Sequence, residues 1–191
     1  NEVFQSKDFG GLHAGYIYQV LNDSVLPVKG ISLALNGSYI NNVRARQGDV
    51  EKYSAEFNLY APITRNIGFV IRGGGATLTG SPEFFQYNFI GGTESLRGYQ
   101  RERFYGTSTA FSQNEFRWIS NVRSFLFNGK LGVFGLYDAG RVWLKGQDSN
   151  EWHTGYGGGI IISPFNKITI TAAYAVSSED SNIHILVVKP F

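Results

Sequence analysis

Hydrophobic and polar residues alternate along most of this chain. In the segment LPVKGISLALNGSYINN, one set of alternate positions is mainly apolar and the other is small or polar. A period of two sustained over about ten residues predicts a β-strand with two chemically different faces. The pattern recurs and predicts nine strands, over residues 12–21, 29–41, 51–61, 66–78, 108–120, 130–143, 154–163, 167–177 and 182–191.

The predicted connections alternate in character along the chain. One set is short, and the other is longer or more polar. Long loops at one end and short turns at the other are typical of antiparallel outer-membrane barrels. The short set covers residues 22–27, 62–66, 120–129 and 163–166, and the other covers 41–51, about 79–107, 144–153 and 177–182.

Two all-β architectures share this pattern: a soluble sandwich or barrel, and a transmembrane barrel. The less apolar strand faces are rich in Gly, Ala, Ser, Thr and Asn, whereas a soluble protein places more Lys and Glu there. Aromatic residues also lie near the ends of several apolar faces, as in the girdles of membrane barrels. These features favour the membrane barrel, with small and polar side chains lining its lumen. The aromatic residues are Tyr39, Tyr53, Trp118, Tyr137 and Tyr156.

Composition narrows the classes further. The 191 residues contain no cysteine, which excludes a disulfide framework and a thiolate metal site. The net charge of +2 is scattered, so we expect no nucleic-acid partner. No apolar run reaches the roughly 20 residues of a transmembrane helix. The chain starts at Asn1 and lacks methionine, so we expect a mature or truncated product whose signal peptide lies upstream.

The last predicted strand is amphipathic and ends in an aromatic residue. Ile183, Ile185 and Val187 are two residues apart, and Phe191 closes the chain. Such a strand resembles the C-terminal recognition signal of bacterial outer-membrane proteins. The alternative is a plain edge strand that ends in phenylalanine.

The longest connection contains the stretch IGGTESLRGYQRERFYG, where the alternation stops. With the strands on either side, it resembles the C-terminal barrel of the BamA/TamA/FhaC superfamily, also called bacterial surface antigen proteins. Three motifs carry the resemblance: GGTESLRGY in the loop, NEFRW at 114–118 and GVFGLYDAGRVW at 132–143. Leu96 stands where the family more often has valine. Five strands follow from the loop to the chain end, as in the family.

The resemblance implies that the loop folds into the lumen, with the tip motif Leu96, Arg97, Gly98 and Tyr99. Arg97 would meet two carboxylates of the barrel wall, Glu115 and Asp138. Both acids are out of phase with the apolar residues of their strands, which places them on the inward face. The planar guanidinium of arginine can hold two carboxylates. Gly91 and Gly92 would supply the loop hinge. The alternative is a solvent-exposed Arg97 with acids that face water.

The predicted strand count is odd, whereas complete bacterial barrels have an even number. We therefore expect either a small barrel with one more strand or the C-terminal half of a barrel of about sixteen strands. Residues 1–191 would form one barrel domain or fragment, with no POTRA or soluble domain. Because lipid does not tolerate unpaired strand edges, a fragment would pair with the N-terminal part of its parent chain or a second copy.

The resemblance implies an integral protein of the bacterial outer membrane, surrounded by lipid. It would insert outer-membrane proteins or translocate secreted polypeptides, with unfolded polypeptides as clients. Weak pairing at a lateral seam would help, and Pro190 and Gly157–Gly159 are consistent with one, although the glycines could instead make room for the loop. The alternatives are a membrane anchor for an upstream enzymatic domain and a small plugged barrel or pore.

Catalysis within this chain is not expected, and neither a cofactor nor a metal is implied. His13, His153 and His184 are isolated, without zinc-site spacing, and the sequence has no GxSxG nucleophile elbow. Glu115 and Asp138 could form a paired carboxylate site, but pairing with Arg97 is a better use for both.

Overall fold

A computed structural model describes residues 8–42, 49–123, 128–144, 146 and 151–189. These described residues contain nine long strands, two short strands and one 3₁₀ turn, Phe84–Gln86, in the longest loop. No helix in this part of the chain is long and apolar enough to cross a membrane. The strands are β1 Phe9–Leu21, β2 Gly30–Asn42, β3 Val50–Pro62, β4 Ile67–Gly80, β5 Asn88–Ile90, β6 Phe104–Gly106, β7 Ser108–Arg123, β8 Asn128–Trp143, β9 His153–Pro164, β10 Thr169–Ser177 and β11 Ser181–Val188.

The nine long strands form one antiparallel meander. Their order in the sheet is β1-β2-β3-β4-β7-β8-β9-β10-β11, so each strand pairs with its neighbour in the chain. The predicted all-β, antiparallel meander is therefore confirmed. Among the described residues β1 and β11 have no pairing with each other and form the two edges. The sheet is a partial barrel that this segment does not close.

The two faces of the sheet differ as the alternation predicts. Large apolar side chains are exposed on the face away from the long loop; Tyr53, Tyr137 and Tyr156 are each more than half exposed. The other face, here called the inner face, carries the loop and includes the buried Asp138 and Ile161. Register follows from this difference, because a slip of one residue would exchange the two faces.

The inner face is less polar than predicted. Phe134 and Leu136 of β8 are buried there and pack with Leu26 from the connection between β1 and β2. The prediction of a lumen wall made of small and polar residues was therefore wrong for this region. Parity identifies a side chain as inward-facing, but it does not show that a distant apolar residue will cover it. The rest of this cluster consists of Ile161, Ala173, Ala175 and the partly buried Ile119.

The connection from residue 22 to 29 reaches this cluster because Asp23 organises it. The Asp23 carboxylate accepts hydrogen bonds from the backbone N–H groups of Val25, at 2.9 Å, and Leu26, at 3.2 Å. It also pairs with Lys130 of β8 at 3.3 Å. The sequence predicted only a short turn here, and the structure shows a turn folded against the inner face.

Acid should loosen this turn. Burial raises the pKa of Asp23, but the N–H groups of Val25 and Leu26 and the charge of Lys130 outweigh it and leave that pKa below its ordinary value. The stabilisation is therefore complete above the ordinary pKa of about 3.9 and is lost as the pH falls through the lower folded value. Hydrogen exchange of residues 22–29, corrected for intrinsic rate, should accelerate over that range in wild type. Asp23→Asn should show no such step.

Candidate functional site

The loop between β4 and β7 spans residues 81–107 and folds back over the inner face. It contains a short hairpin in which β5 pairs with β6, Asn88 opposite Gly106. The hairpin was not predicted, because three-residue strands are too short for periodicity to detect. It brings the two limbs of the loop together, so that residues 91–103 form a compact tip.

Glycines allow the tip to turn. Gly91 and Gly92 have φ values of 133° and 75°, and Gly98 has 95°. Residues with a Cβ rarely adopt such φ values, so glycine is the residue that fits these positions. The first turn is closed by Ser95, whose hydroxyl accepts a hydrogen bond from the N–H of Gly91 at 2.8 Å.

Apolar side chains anchor the tip beside its charged residue. Leu96 is fully buried and Tyr99 nearly so, and both pack with Ile90 of β5. Phe104 and Val142 cover this small cluster from the sides. Because Leu96 directly precedes Arg97 in the chain, an apolar anchor lies next to the arginine.

Arg97 lies between two carboxylates of the inner face. Its Nε and Nη2 groups donate to the two oxygens of Asp138, at 2.8 and 2.7 Å. Its backbone N–H donates to Asp138 as well, at 3.0 Å, and Nη1 donates to Glu115. Asp138 is 0 % exposed and Arg97 7 %. Burial alone would lower the pKa of Arg97, but Asp138 and Glu115 outweigh it and raise that pKa above the ordinary arginine value.

Strand register brings the two acids together. Gln113 of β7 lies opposite Asp138 of β8, so Glu115 is two residues further along β7 on the same face. This diagonal relation is within reach of one long side chain. Glu115 also accepts a hydrogen bond from Arg117 at 2.7 Å, so its negative charge is shared between two arginines.

The last two strands hold the other side of the tip. The carbonyl oxygen of Gly98 accepts hydrogen bonds from Ser177, at 2.9 Å, and Asn182, at 3.1 Å. The Tyr99 hydroxyl lies 3.1 Å from that of Ser178. Sequence reasoning missed these contacts, because polar residues in a strand end and turn carry no signal for a partner about 80 positions away.

A bidentate ion pair secures the limb that leaves the tip. Arg103 donates from Nε and Nη2 to the two oxygens of Glu179, at 2.7 and 3.1 Å. Glu179 lies in one of the connections predicted to be longer or more polar; it is short and polar, since only residues 178–180 separate β10 from β11. The charged run Arg101-Glu102-Arg103 was the available signal for Arg103, but it did not identify the partner.

Three of the four residues of the predicted C-terminal signal lie within the described part of the chain. Ile183, Ile185 and Val187 are 73 %, 70 % and 59 % exposed on the outward face of β11. Phe191 and Pro190 lie outside the described residues.

Gly157–Gly159 lie in β9, which pairs on both sides with β8 and β10 and is not an edge strand. A Cβ at Gly159 would collide with the ring of Phe134. A Cβ at Gly155 would instead collide with the backbone of Arg97, so it is Gly155 that makes room for the loop tip.

Chemically, this site is a buried cluster of ion pairs that holds the loop tip on the inner face, here called the lock. The Glu115 and Asp138 carboxylates, which could resemble a catalytic pair, both bind Arg97. Within the described ranges, no three His, Cys, Asp or Glu side chains are grouped so that they could hold a metal ion.

The family model for haemolysin secretion/activation proteins of the ShlB/FhaC/HecB type matches residues 34–162, more than half of the chain. The matched range includes the loop, Glu115 and Asp138. Among curated proteins, none matches. The match confirms the resemblance to the superfamily that includes FhaC, and this family consists of polypeptide transporters, not enzymes. The chain therefore belongs to the ShlB/FhaC/HecB family of outer-membrane β-barrel proteins that secrete polypeptides.

Proposed function

We propose that this chain is the membrane-embedded barrel portion of an outer-membrane transporter dedicated to a secreted polypeptide. The observation that carries the proposal is the loop seated on the inner face by Arg97, in a chain whose family secretes polypeptides. A buried cluster of ion pairs of this kind holds the loop in the lumen. Clients would be unfolded polypeptides that reach the barrel from the periplasm.

The outward face supports a lipid environment. Exposed Leu12, Tyr16 and Val20 on β1 and exposed Ile183 and Ile185 on β11 would meet water in a soluble protein. Monomeric soluble proteins rarely expose apolar patches larger than a few hundred Å². A band of apolar and aromatic side chains is what a barrel presents to the hydrocarbon layer. We therefore place the protein in the bacterial outer membrane.

The two edges of the sheet imply a strand partner. The N–H and C=O groups on the outer sides of β1 and β11 have no ladder in the described segment, and a hydrocarbon environment penalises such groups by several kcal/mol each. We infer that strands from the remainder of the parent chain complete a barrel of about sixteen strands. A second copy of this chain is the other partner that could satisfy them.

Within this function, Arg97, Glu115 and Asp138 hold the loop in its resting position. Leu96 and Tyr99 provide its apolar anchorage, and Gly91, Gly92 and Gly98 allow its turns. Arg97 suits this role because its fork binds two carboxylates at once and stays charged at any physiological pH.

The proposal can be tested on the full-length protein in its bacterial host. We expect its deletion to abolish one polypeptide in the medium, while the levels of other outer-membrane barrels stay unchanged. Quantitative proteomics of medium and outer membrane measures both in one culture. Complementation with wild type should restore the missing polypeptide.

Two results would contradict dedicated secretion. A broad fall in outer-membrane barrels would indicate a general insertase, which would use the exposed edge of β11 to pair with client strands. An unchanged medium together with unchanged barrels would favour a membrane anchor for an upstream domain.

A further inference from the structure

Three cavities follow one another along the inner face, beside the seated loop. The upper cavity, about 820 Å³, lies against loop residues 87–95 and 99–102. The middle one, about 360 Å³, lies between the loop and the walls formed by β3, β4 and β11. The lower one, about 190 Å³, reaches the turn at residues 64–66. Together they extend from the end of the sheet that carries the loop to the opposite end.

Neighbouring cavities share wall residues, so the three adjoin one another along the inner face. The upper and middle cavities have four lining residues in common, Glu56, Thr93, Glu94 and His184. The middle and lower cavities share Val70 and Arg117. Thr93 and Glu94 line both the upper and the middle cavity, so this part of the loop lies between the two.

Polar contacts from β4, β7 and β11 hold Thr93 and Glu94 between the upper and middle cavities. Arg72 of β4 lies 3.3 Å from Glu94 and 3.0 Å from Glu56 of β3. Gln113 of β7 donates to the Thr93 carbonyl oxygen at 2.9 Å. The Thr93 hydroxyl lies 3.0 Å from Nδ1 of His184 on β11. Thr93 and Glu94 are thus held by β4 and β7 on one side and by β11 on the other.

The ion pair between Arg72 and Glu94 is weaker than the ion pairs of Arg97. The side chain of Glu94 is 78 % exposed, whereas that of Asp138 is fully buried. An exposed ion pair adds little stability, whereas removing one partner of a buried pair is strongly destabilising. The Arg72–Glu94 ion pair can therefore open by movement of the Glu94 side chain, while the turn at residues 92–96 and Arg97 stay in place.

We propose that Arg72, Glu56 and Glu94 form a gate on a path through the lumen that opens without unseating the loop tip. The inference rests on the proposed function and deepens it, because it assigns a route beside the loop to an extended polypeptide. The middle cavity offers equal numbers of acids and arginines, so it attracts neither sign of charge strongly. These residues are Glu56, Glu94, Glu115, Arg72, Arg97 and Arg117.

Single-channel recording of the purified full-length protein in planar lipid bilayers tests the gate in potassium chloride, with no client present. We expect Glu94→Lys to raise the open fraction about two- to fivefold, since it replaces an exposed attraction to Arg72 with repulsion. Glu102→Lys is the matched control. It makes the same charge change in the wall of the upper cavity, but Glu102 pairs only with its neighbour Arg101 in the described structure.

The outcomes separate the gate from the secretion function. A rise with Glu94→Lys alone, while Tyr99 stays protected from chymotrypsin, supports the gate. An equal rise with both variants indicates a general charge effect and overturns the proposal, as does no change with either. If the gate responds but deletion leaves the medium unchanged, the secretion function fails while the gate stands.

Discussion

Arg97→Ala should release the loop tip from the inner face. The substitution leaves Asp138, which is 0 % exposed, without its cationic partner. Removing one member of a buried ion pair costs about 3 kcal/mol, at the low end of the usual range because the Glu115 side chain is still 12 % exposed. Such a loss exceeds what the neighbouring neutral hydrogen bonds can hold, so we expect the unseated loop to predominate. We expect secretion to fall when the loop tip is released.

Chymotrypsin gives the readout for Arg97→Ala. Tyr99 is 2 % exposed when the tip is seated, so cleavage after it reports release. Phe84 and Phe85 in the same loop are exposed at 62 % and 66 %, and their cleavage serves as an internal reference.

Two variants serve as controls for charge and position. Arg101→Ala removes a loop arginine that is 88 % exposed and should leave Tyr99 protected. Arg97→Lys should be intermediate, because an ammonium cannot reproduce the bidentate contact with Asp138. Equal cleavage after Tyr99 in wild type and Arg97→Ala would contradict the lock.

Gly155→Ala should unseat the same tip without changing any charge. A methyl group at this position of β9 would collide with the backbone oxygen of Arg97, and a backbone atom cannot rotate away as a side chain can. Overpacking of this kind costs about 1–3 kcal/mol. Arg97 would still carry its fork but could no longer lie deep enough to hold both oxygens of Asp138. We expect faster chymotrypsin cleavage after Tyr99, though less than for Arg97→Ala.

Gly135→Ala provides the matched control on the neighbouring strand. Gly135 faces outward from β8, and a methyl group there would have no atom closer than 4.0 Å. It should therefore behave as wild type in the same digestion. If Gly155→Ala and Gly135→Ala gave equal cleavage, the close approach of the tip to β9 would not matter for seating.

The two substitutions together distinguish charge from shape. Arg97→Ala leaves the space beside β9 unchanged and removes the guanidinium group, whereas Gly155→Ala retains the guanidinium group and fills that space. If both release the tip, seating depends on electrostatic pairing and on close backbone approach together. The double variant should then add little to Arg97→Ala, since both changes act on one contact.

The alternation of side chains determined the strands and their faces. Period two placed all nine long strands within three residues of their observed ends, and it put Glu115 and Asp138 on one face. This succeeded because strand geometry is local: successive side chains point to opposite sides whatever the neighbouring strand is. The motifs then identified the loop and Arg97 as residues to place near those acids.

Tertiary structure decided which inward-facing groups meet. The packing of Leu26 into the cluster around Phe134, the pairing of Arg103 with Glu179 and the approach of Gly155 to Arg97 all join segments far apart in sequence. Parity gives the direction of a side chain, but only the curvature and register of the whole sheet set its distance from a partner on another strand. For the same reason the Arg72–Glu94 contact, which depends on the path of a loop with no periodicity, became visible only in the folded chain.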